Sequence, residues 1–170
     1  MDIDTLLADS LGRVREQVAA VVEGLDEDDL AWRPDPGANS IAWLVWHLTR
    51  VADDHVAHVA GTDQVWTTGG WFERFGLPFP AEAHGYGHTS EDVAAVRAPA
   101  DLLAGYHEAV ATMALDYVAT LTPAALDRVV DERWDPPVTL GVRLISVVND
   151  LTQHSGQAAY VRGLLERRGG

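Results

Sequence analysis

The sequence holds 170 residues, 47% apolar and 22% charged, an ordinary globular composition with length enough for one domain and a sizeable core. It contains no cysteine and no lysine, all 12 basic residues being arginine, which excludes disulfides, thiolate zinc sites, a protein thiol nucleophile and Schiff-base chemistry. The net charge of −14 argues against a nucleic-acid partner, no apolar run approaches the ~18 residues of a membrane span, and the acidic start MDIDTLLADS is no secretory signal, so a cytoplasmic protein is expected.

Four long segments carry helical spacing of apolar residues. The first, from about Asp4 to Glu23, places Leu7, Leu11, Val14, Val18 and Val21 on one face, and Gly24 is its expected stop. A polar, proline-punctuated connection, LDEDDLAWRPDPGANS, follows. The second helix reads SIAWLVWHLTRVADDHVAHVAG, with Ser40 as N-cap and Gly61 as stop. Its stripe is Ile41, Leu44, Leu48 and Val51, with His55 at the end of the core. Thr62 to about Ala98 reads as a long irregular stretch, of the kind that is functional or disordered. Trp66, Trp71, Phe72, Phe75 and Phe79 argue against disorder. They have two readings, the wall of a ligand pocket or packing over the bundle end. Ser90 is the expected cap of a short helix there. The third long helix starts near Pro99, carries Leu103, Tyr106, Val110, Met113, Tyr117 and Leu121, and closes at Pro123. Asp127 to Pro137 reads as turn or briefly extended. The fourth helix runs from about Thr139 to Arg167. Four such helices predict an all-α four-helix bundle, one domain over residues 1–170. The long second connection predicts a topology other than a plain up-down-up-down series.

The fourth helix breaks its own pattern once. Leu140, Leu144, Val147, Leu151, His154, Ala158, Val161 and Leu165 keep the three-four spacing, and only His154 is polar. Asp150 lies one turn earlier, its Cβ roughly 5–6 Å away on the same face. Two side chains so placed suit one metal ion, and a bundle completes such a site from a facing helix. His47 in WLVWHLTR is the candidate third ligand. An imidazole buried among Trp43, Leu44, Trp46 and Leu48 needs a partner, because an unpaired buried polar group costs on the order of 1–3 kcal/mol. Two imidazoles and a carboxylate suit zinc, nickel or ferrous iron, with zinc the first expectation, and three protein ligands leave a position open for water or substrate. The plain alternative is a hydrogen-bonded Asp150–His154 pair without metal. Asp54 and His58, also four apart, lie roughly 10–16 Å along the axis from His47 and read as a solvated pair. His84 and His88 sit in a glycine-rich loop and are weak ligand candidates. His107, beside the third stripe, reads as a surface or satisfied histidine.

The segments LAWRPDPGANSIAWLVWHLTRVADDH, QVWTTGGWFERFGLP and NDLTQHSGQAAYVRG resemble the DinB/YfiT-like superfamily, in its DUF664 and mycothiol-dependent maleylpyruvate isomerase-like branch. The resemblance spans nearly the whole chain. It implies a divalent metal held by a His in the middle of the second helix, here His47, and by two residues one turn apart on the last, here Asp150 and His154. Many members have His at the first of that pair and the isomerase branch has Glu, so Asp150 is a shorter carboxylate. It further implies a low-molecular-weight thiol cosubstrate (mycothiol or bacillithiol), a small electrophilic substrate and a homodimer, with Trp43 or Trp46 as a possible seam. The isomerase carries a further domain after its bundle, and this chain stops at Gly170, so S-transfer is expected rather than isomerisation. On this reading Gln157 orients a ligand or water, Arg50 and Arg143 clamp carboxylates, and Trp43 and Trp71 line the pocket. The alternatives are a metal-activated hydrolase, for which no carboxylate base stands out, and a non-catalytic metal-binding stress-response dimer.

Overall fold

Apolar steps of three and four become long helices in the computed structural model, which describes residues 2–168. Helix α1 (Ile3–Val22) buries Leu7, Leu11, Val14, Val18 and Val21 as its stripe requires. The first connection holds a short helix, α2 (Glu27–Ala31), started by the Asp26 carboxylate, which accepts the N–H of Asp29 at 2.8 Å. Helix α3 (Ile41–Ala60) has both expected ends: the Ser40 hydroxyl accepts from the Trp43 N–H at 3.1 Å, and Gly61 takes the left-handed conformation at φ 70°.

The stretch after α3 is more regular than its composition suggests. It contains α4 (Val65–Thr68), α5 (Trp71–Phe75) and α6 (Ser90–Ala95). Helix α6 is capped by Thr89 rather than Ser90, because Asp92 three residues on completes a capping box with Thr89. Helix α7 (Ala100–Val118), a 3₁₀ turn (Pro123–Asp127) and an antiparallel hairpin of β1 (Val129–Asp131) and β2 (Val138–Thr139) lead into α8 (Leu140–Arg168). The all-α bundle expected from the sequence is present, and the hairpin is the only sheet among the described residues.

Cross-helix bonds fix the topology. Thr49 meets His107, Asp53 meets Tyr106 and Val59 meets Tyr117, so α3 and α7 run parallel. Gln17 meets Ser155 and Ala20 meets Arg162, so α1 and α8 run parallel as well. His55 meets Arg143 while His47 faces His154, so α3 and α8 are antiparallel. The order is up-down-down-up, with α1 and α3 on a diagonal. A parallel successor must start at the end where its predecessor began, about 30 Å back for a 20-residue helix. That return explains the long second connection.

The return stretch lies over the outer face of α3, and its aromatics pack. Trp66, Phe75 and Tyr106 stand 5.0–5.8 Å apart between ring centroids. Trp71 packs on Tyr106 at 5.6 Å and under Arg74 at 4.0 Å, in the α5–α7 contact and away from the cavities beside His47 and Gln157. The packing reading of the aromatic stretch is therefore the one observed. Buried Asp53 receives the N–H groups of Val65 and Trp66 at 2.8 and 2.7 Å, which starts α4, and the Tyr106 hydroxyl at 2.8 Å. Burial raises its carboxyl pKa, and these donors work against the rise.

Arg50 is not a substrate clamp. It is fully buried: Nε donates to Ala83 O and Nη2 to Ala81 O, both at 3.0 Å, and Nη1 donates to Gln64 Oε1 at 2.8 Å. It fastens the returning chain to α3, a role helical periodicity cannot reveal because the covering layer is not helical. With this cover, every residue from Ile41 to Arg50 is buried. Trp43 and Trp46 are 7% and 1% exposed, so neither is free to form a homodimer seam.

Candidate metal centre

Arg50 grips the carbonyls of Ala81 and Ala83, and the next residues turn tightly over His47. Gly85 makes the approach possible. Its φ is 98°, and a Cβ there would stand 2.6 Å from His47 Nδ1 and 3.1 Å from Trp43 Cζ2. The His84 carbonyl thereby reaches His47 and accepts its Nδ1–H. The Trp43 ring stacks on the same imidazole at 4.6 Å and 14°, and Trp43 Nε1 donates to His88 Nδ1 at 3.2 Å. Held at its edge and on its face, His47 keeps Nε2 as its free lone pair.

Helix α8 supplies a matching arrangement. Gln157 Oε1 lies 3.0 Å from His154 Nδ1 and accepts its proton, which leaves Nε2 as the ligating atom, 3.5 Å from Asp150 Oδ2. The other oxygen of Asp150, Oδ1, is buried without a hydrogen-bond partner. Ligand atoms of His47, Asp150 and His154 all lie within 4.8 Å of one another. A buried acceptor with no donor costs on the order of 1–3 kcal/mol, and a cation among these atoms would offset it. Two imidazole nitrogens with both outer N–H groups already bonded, plus one carboxylate, suit zinc, nickel or ferrous iron.

The imidazoles are tuned in opposite directions. Burial lowers the pKa of His47, which favours the neutral, ligating form. The Asp150 carboxylate, which accepts from His154 Nε2 once that nitrogen is protonated, raises the His154 pKa, so a cation there competes with a proton.

Val51, Asp54, His55, His84 and Tyr86 join His47 and Asp150 around a cavity of about 160 Å³. His55 Nδ1 accepts from Arg143 Nη1 at 2.9 Å, and Arg143 Nη2 donates to Asp131 Oδ2 at 3.1 Å. Arg143 thus acts on the cavity through His55 rather than as a direct clamp. Burial first, then Arg143, lowers the His55 pKa, and with Nδ1 accepting, the His55 proton sits on Nε2. Beyond His154 a groove of about 760 Å³ runs between the 34–39 segment and α8.

Of the residues singled out in the sequence, His47, Asp150 and His154 converge, with Gln157 on His154 and Trp43 on His47. Arg50 and Trp71 are structural. His58 is exposed, as read, but Asp54, read as its solvated partner, accepts from Gln64 Nε2 at 2.8 Å and lines the cavity. His107 is not at the surface. It is 4% exposed, with Nδ1 at 3.0 Å from Thr49 Oγ1 and Nε2 unpartnered, and burial pushes its pKa down to about 4. Helix α7 packs against both α1 and α3, so its buried arc is wider than one stripe. His84 reads from the sequence only as a weak side-chain ligand, whereas what it contributes is a backbone carbonyl. The clustered glycines of HGYG were the available signal.

The family model described as mycothiol-S-transferase matches residues 6–167 of the chain. The crystal structure of a conserved protein from Enterococcus faecalis is similar at a TM-score of 0.90 and 32% identity, covering 97% of this chain and 98% of that one. None of the curated proteins matches.

Proposed function

The chain belongs to the mycothiol-S-transferase family, and on that premise we propose that it joins the sulfur of a low-molecular-weight thiol, mycothiol first, to a small electrophile with the help of a divalent metal held by His47, Asp150 and His154. The observation that carries the metal is the buried, unpartnered Asp150 Oδ1 between imidazoles whose outer nitrogens are already bonded. Zinc is the expected ion, with nickel and ferrous iron as the other candidates. When bound, such a cation lowers the pKa of a thiol so that thiolate prevails at neutral pH.

The chain's own residues set the geometry. The His84 carbonyl and Gln157 hold the two imidazoles in the ligating tautomer. Val51 and Tyr86 wall the cavity beside Asp150, where the electrophile enters. His55, oriented by Arg143, offers its Nε2–H to the leaving group. In the transfer a carbon–sulfur bond forms as the carbon–leaving-group bond breaks, and the thiol proton departs with the leaving group. The reading includes a homodimer, which native mass spectrometry tests.

The deciding experiment is elemental analysis of the purified protein combined with conjugation of mycothiol to monochlorobimane. A bound divalent ion and a metal-dependent rate are expected, and His154→Ala loses both. Rates no higher than the metal-free control with mycothiol, bacillithiol and other small thiols would overturn the reading. One observation favours hydrolysis as a second reading: the Asp54 carboxylate lines the same cavity and supplies the base that the sequence does not single out. Ester or amide cleavage without any thiol would favour it.

A further inference from the structure

We propose that the groove beyond His154 binds the uncharged, hydroxyl-rich body of the thiol cosubstrate, and that this groove selects a neutral thiol over an anionic one. The proposal rests on the thiol-transfer reading. Size comes first. Pockets for drug-sized ligands measure roughly 300–1,000 Å³. The cavity beside Asp150, at about 160 Å³, is too small for a sugar-carried thiol, whereas the groove, at about 760 Å³, is large enough.

Chemistry comes second. Asn39, Gln153, Gln157 and Tyr160 line the groove, with Asp35 its one charged residue, and neither Arg nor His lines it. Side-chain amides and phenols both donate and accept, which matches hydroxyl groups. A carboxylate or phosphate would meet no cation and would face Asp35. Mycothiol is a cysteinyl amide on an amino-sugar–cyclitol pair, neutral and dense in hydroxyls. Bacillithiol carries a malate dicarboxylate in place of the cyclitol. Tyr160 is 66% exposed, an apolar ring face open to a sugar ring.

Continuity comes third. Gln157 lines the groove and also holds His154 Nδ1 at 3.0 Å, and Leu44, another lining residue, lies one turn before His47 on α3. None of the three candidate ligands lines the groove itself, so a body seated there would direct its cysteinyl arm past Gln157 toward His154.

The test titrates the zinc-loaded protein with N-acetylglucosaminyl-inositol, the thiol-free body, by calorimetry. Gln153→Ala and Tyr160→Ala alter exposed side chains, and thermal melting checks that the variants are folded. Each is expected to weaken binding about tenfold and to raise the KM for mycothiol in the bimane assay by a similar factor. Gln153→Arg is expected to improve binding of the malyl-glucosaminide body relative to the neutral one. No binding of the neutral body by the wild-type protein overturns the groove, as does binding that both alanine variants leave unchanged. Conjugation with an unchanged KM for mycothiol in both variants also overturns it and leaves the transfer reading standing. Groove-dependent binding without conjugation of any thiol supports the groove and removes the transfer reading.

Discussion

Gly85→Ala is the sharpest probe of the candidate centre, because it alters no proposed ligand. A Cβ at φ 98° strains the backbone by about 1–2 kcal/mol. It would also stand 2.6 Å from His47 Nδ1, closer than two such atoms pack, so either the imidazole or the turn has to move. Either movement breaks the bond from Nδ1–H to the His84 carbonyl. Losing the outer partner of a ligating histidine weakens metal binding about 10–100-fold. For a chain of this size each kcal/mol is about 2–4 °C in Tm, so the backbone strain lowers Tm by about 2–8 °C. The control is Gly87→Ala, with φ 76° and nothing within 4 Å of its Cβ, which carries the strain without the collision. Zinc affinity is read by competition with a chromophoric chelator, and stability by melting of the metal-free protein. Wild-type zinc affinity in Gly85→Ala, or an equal loss in Gly87→Ala, would refute the reasoning.

Zinc affinity should fall as pH drops, since the cation displaces the proton that Asp150 draws onto His154. The His154 pKa is raised above 6.5, so the decline begins above that pH and steepens below it, and a flat affinity between pH 8 and 5.5 contradicts the assignment. Without metal, the same raised pKa means that the pair stabilises the fold fully below about pH 6.5 and contributes less as pH rises through the folded-state pKa. His107 has the opposite sign. Its folded pKa of about 4 lies below the unfolded 6.5, so on the order of 3 kcal/mol present above pH 6.5 disappears as pH falls toward 4. In urea titrations of metal-free protein, His107→Leu should remove that part of the pH slope, and an unchanged slope assigns it elsewhere. Arg50→Lys keeps the charge but loses the planar fork over Ala81, Ala83 and Gln64, and should cost roughly 3 kcal/mol in stability and weaken zinc binding as the turn over His47 loosens. Wild-type stability in that variant refutes its role as a fastener.

The four long helices were legible because each carries its own spacing signal, and so were Ser40 and Gly61 as ends of α3. His154 was legible because it occupies an apolar position, and Asp150 because a helix fixes its neighbour one turn away. The parallel pairing of α3 and α7 could be inferred only as a consequence of the long connection between them. What lay outside the reading is long-range backbone chemistry. Arg50 looked like a free cation because nothing local announces that the chain returns over it. Trp71, on the short helix α5, packs on Tyr106 of α7, whereas Trp43 stacks on His47 one turn along its own helix α3, and no local pattern tells which tryptophan ends beside the candidate ligands. His84 contributes a main-chain oxygen, and no residue type encodes that.

The donors are unevenly placed along the chain. His47 belongs to α3, whereas Asp150 and His154 arrive only with α8, about 100 residues further along the chain. A truncated or stalled copy therefore presents a lone imidazole and has little hold on an ion. Capturing one once α8 is in place ties together segments about 100 residues apart, a crosslink worth roughly 4–5 kcal/mol in lost chain entropy of the unfolded state. In a sequence devoid of cysteine, the ion proposed for chemistry would thus double as a long-range crosslink of the kind that disulfides supply elsewhere.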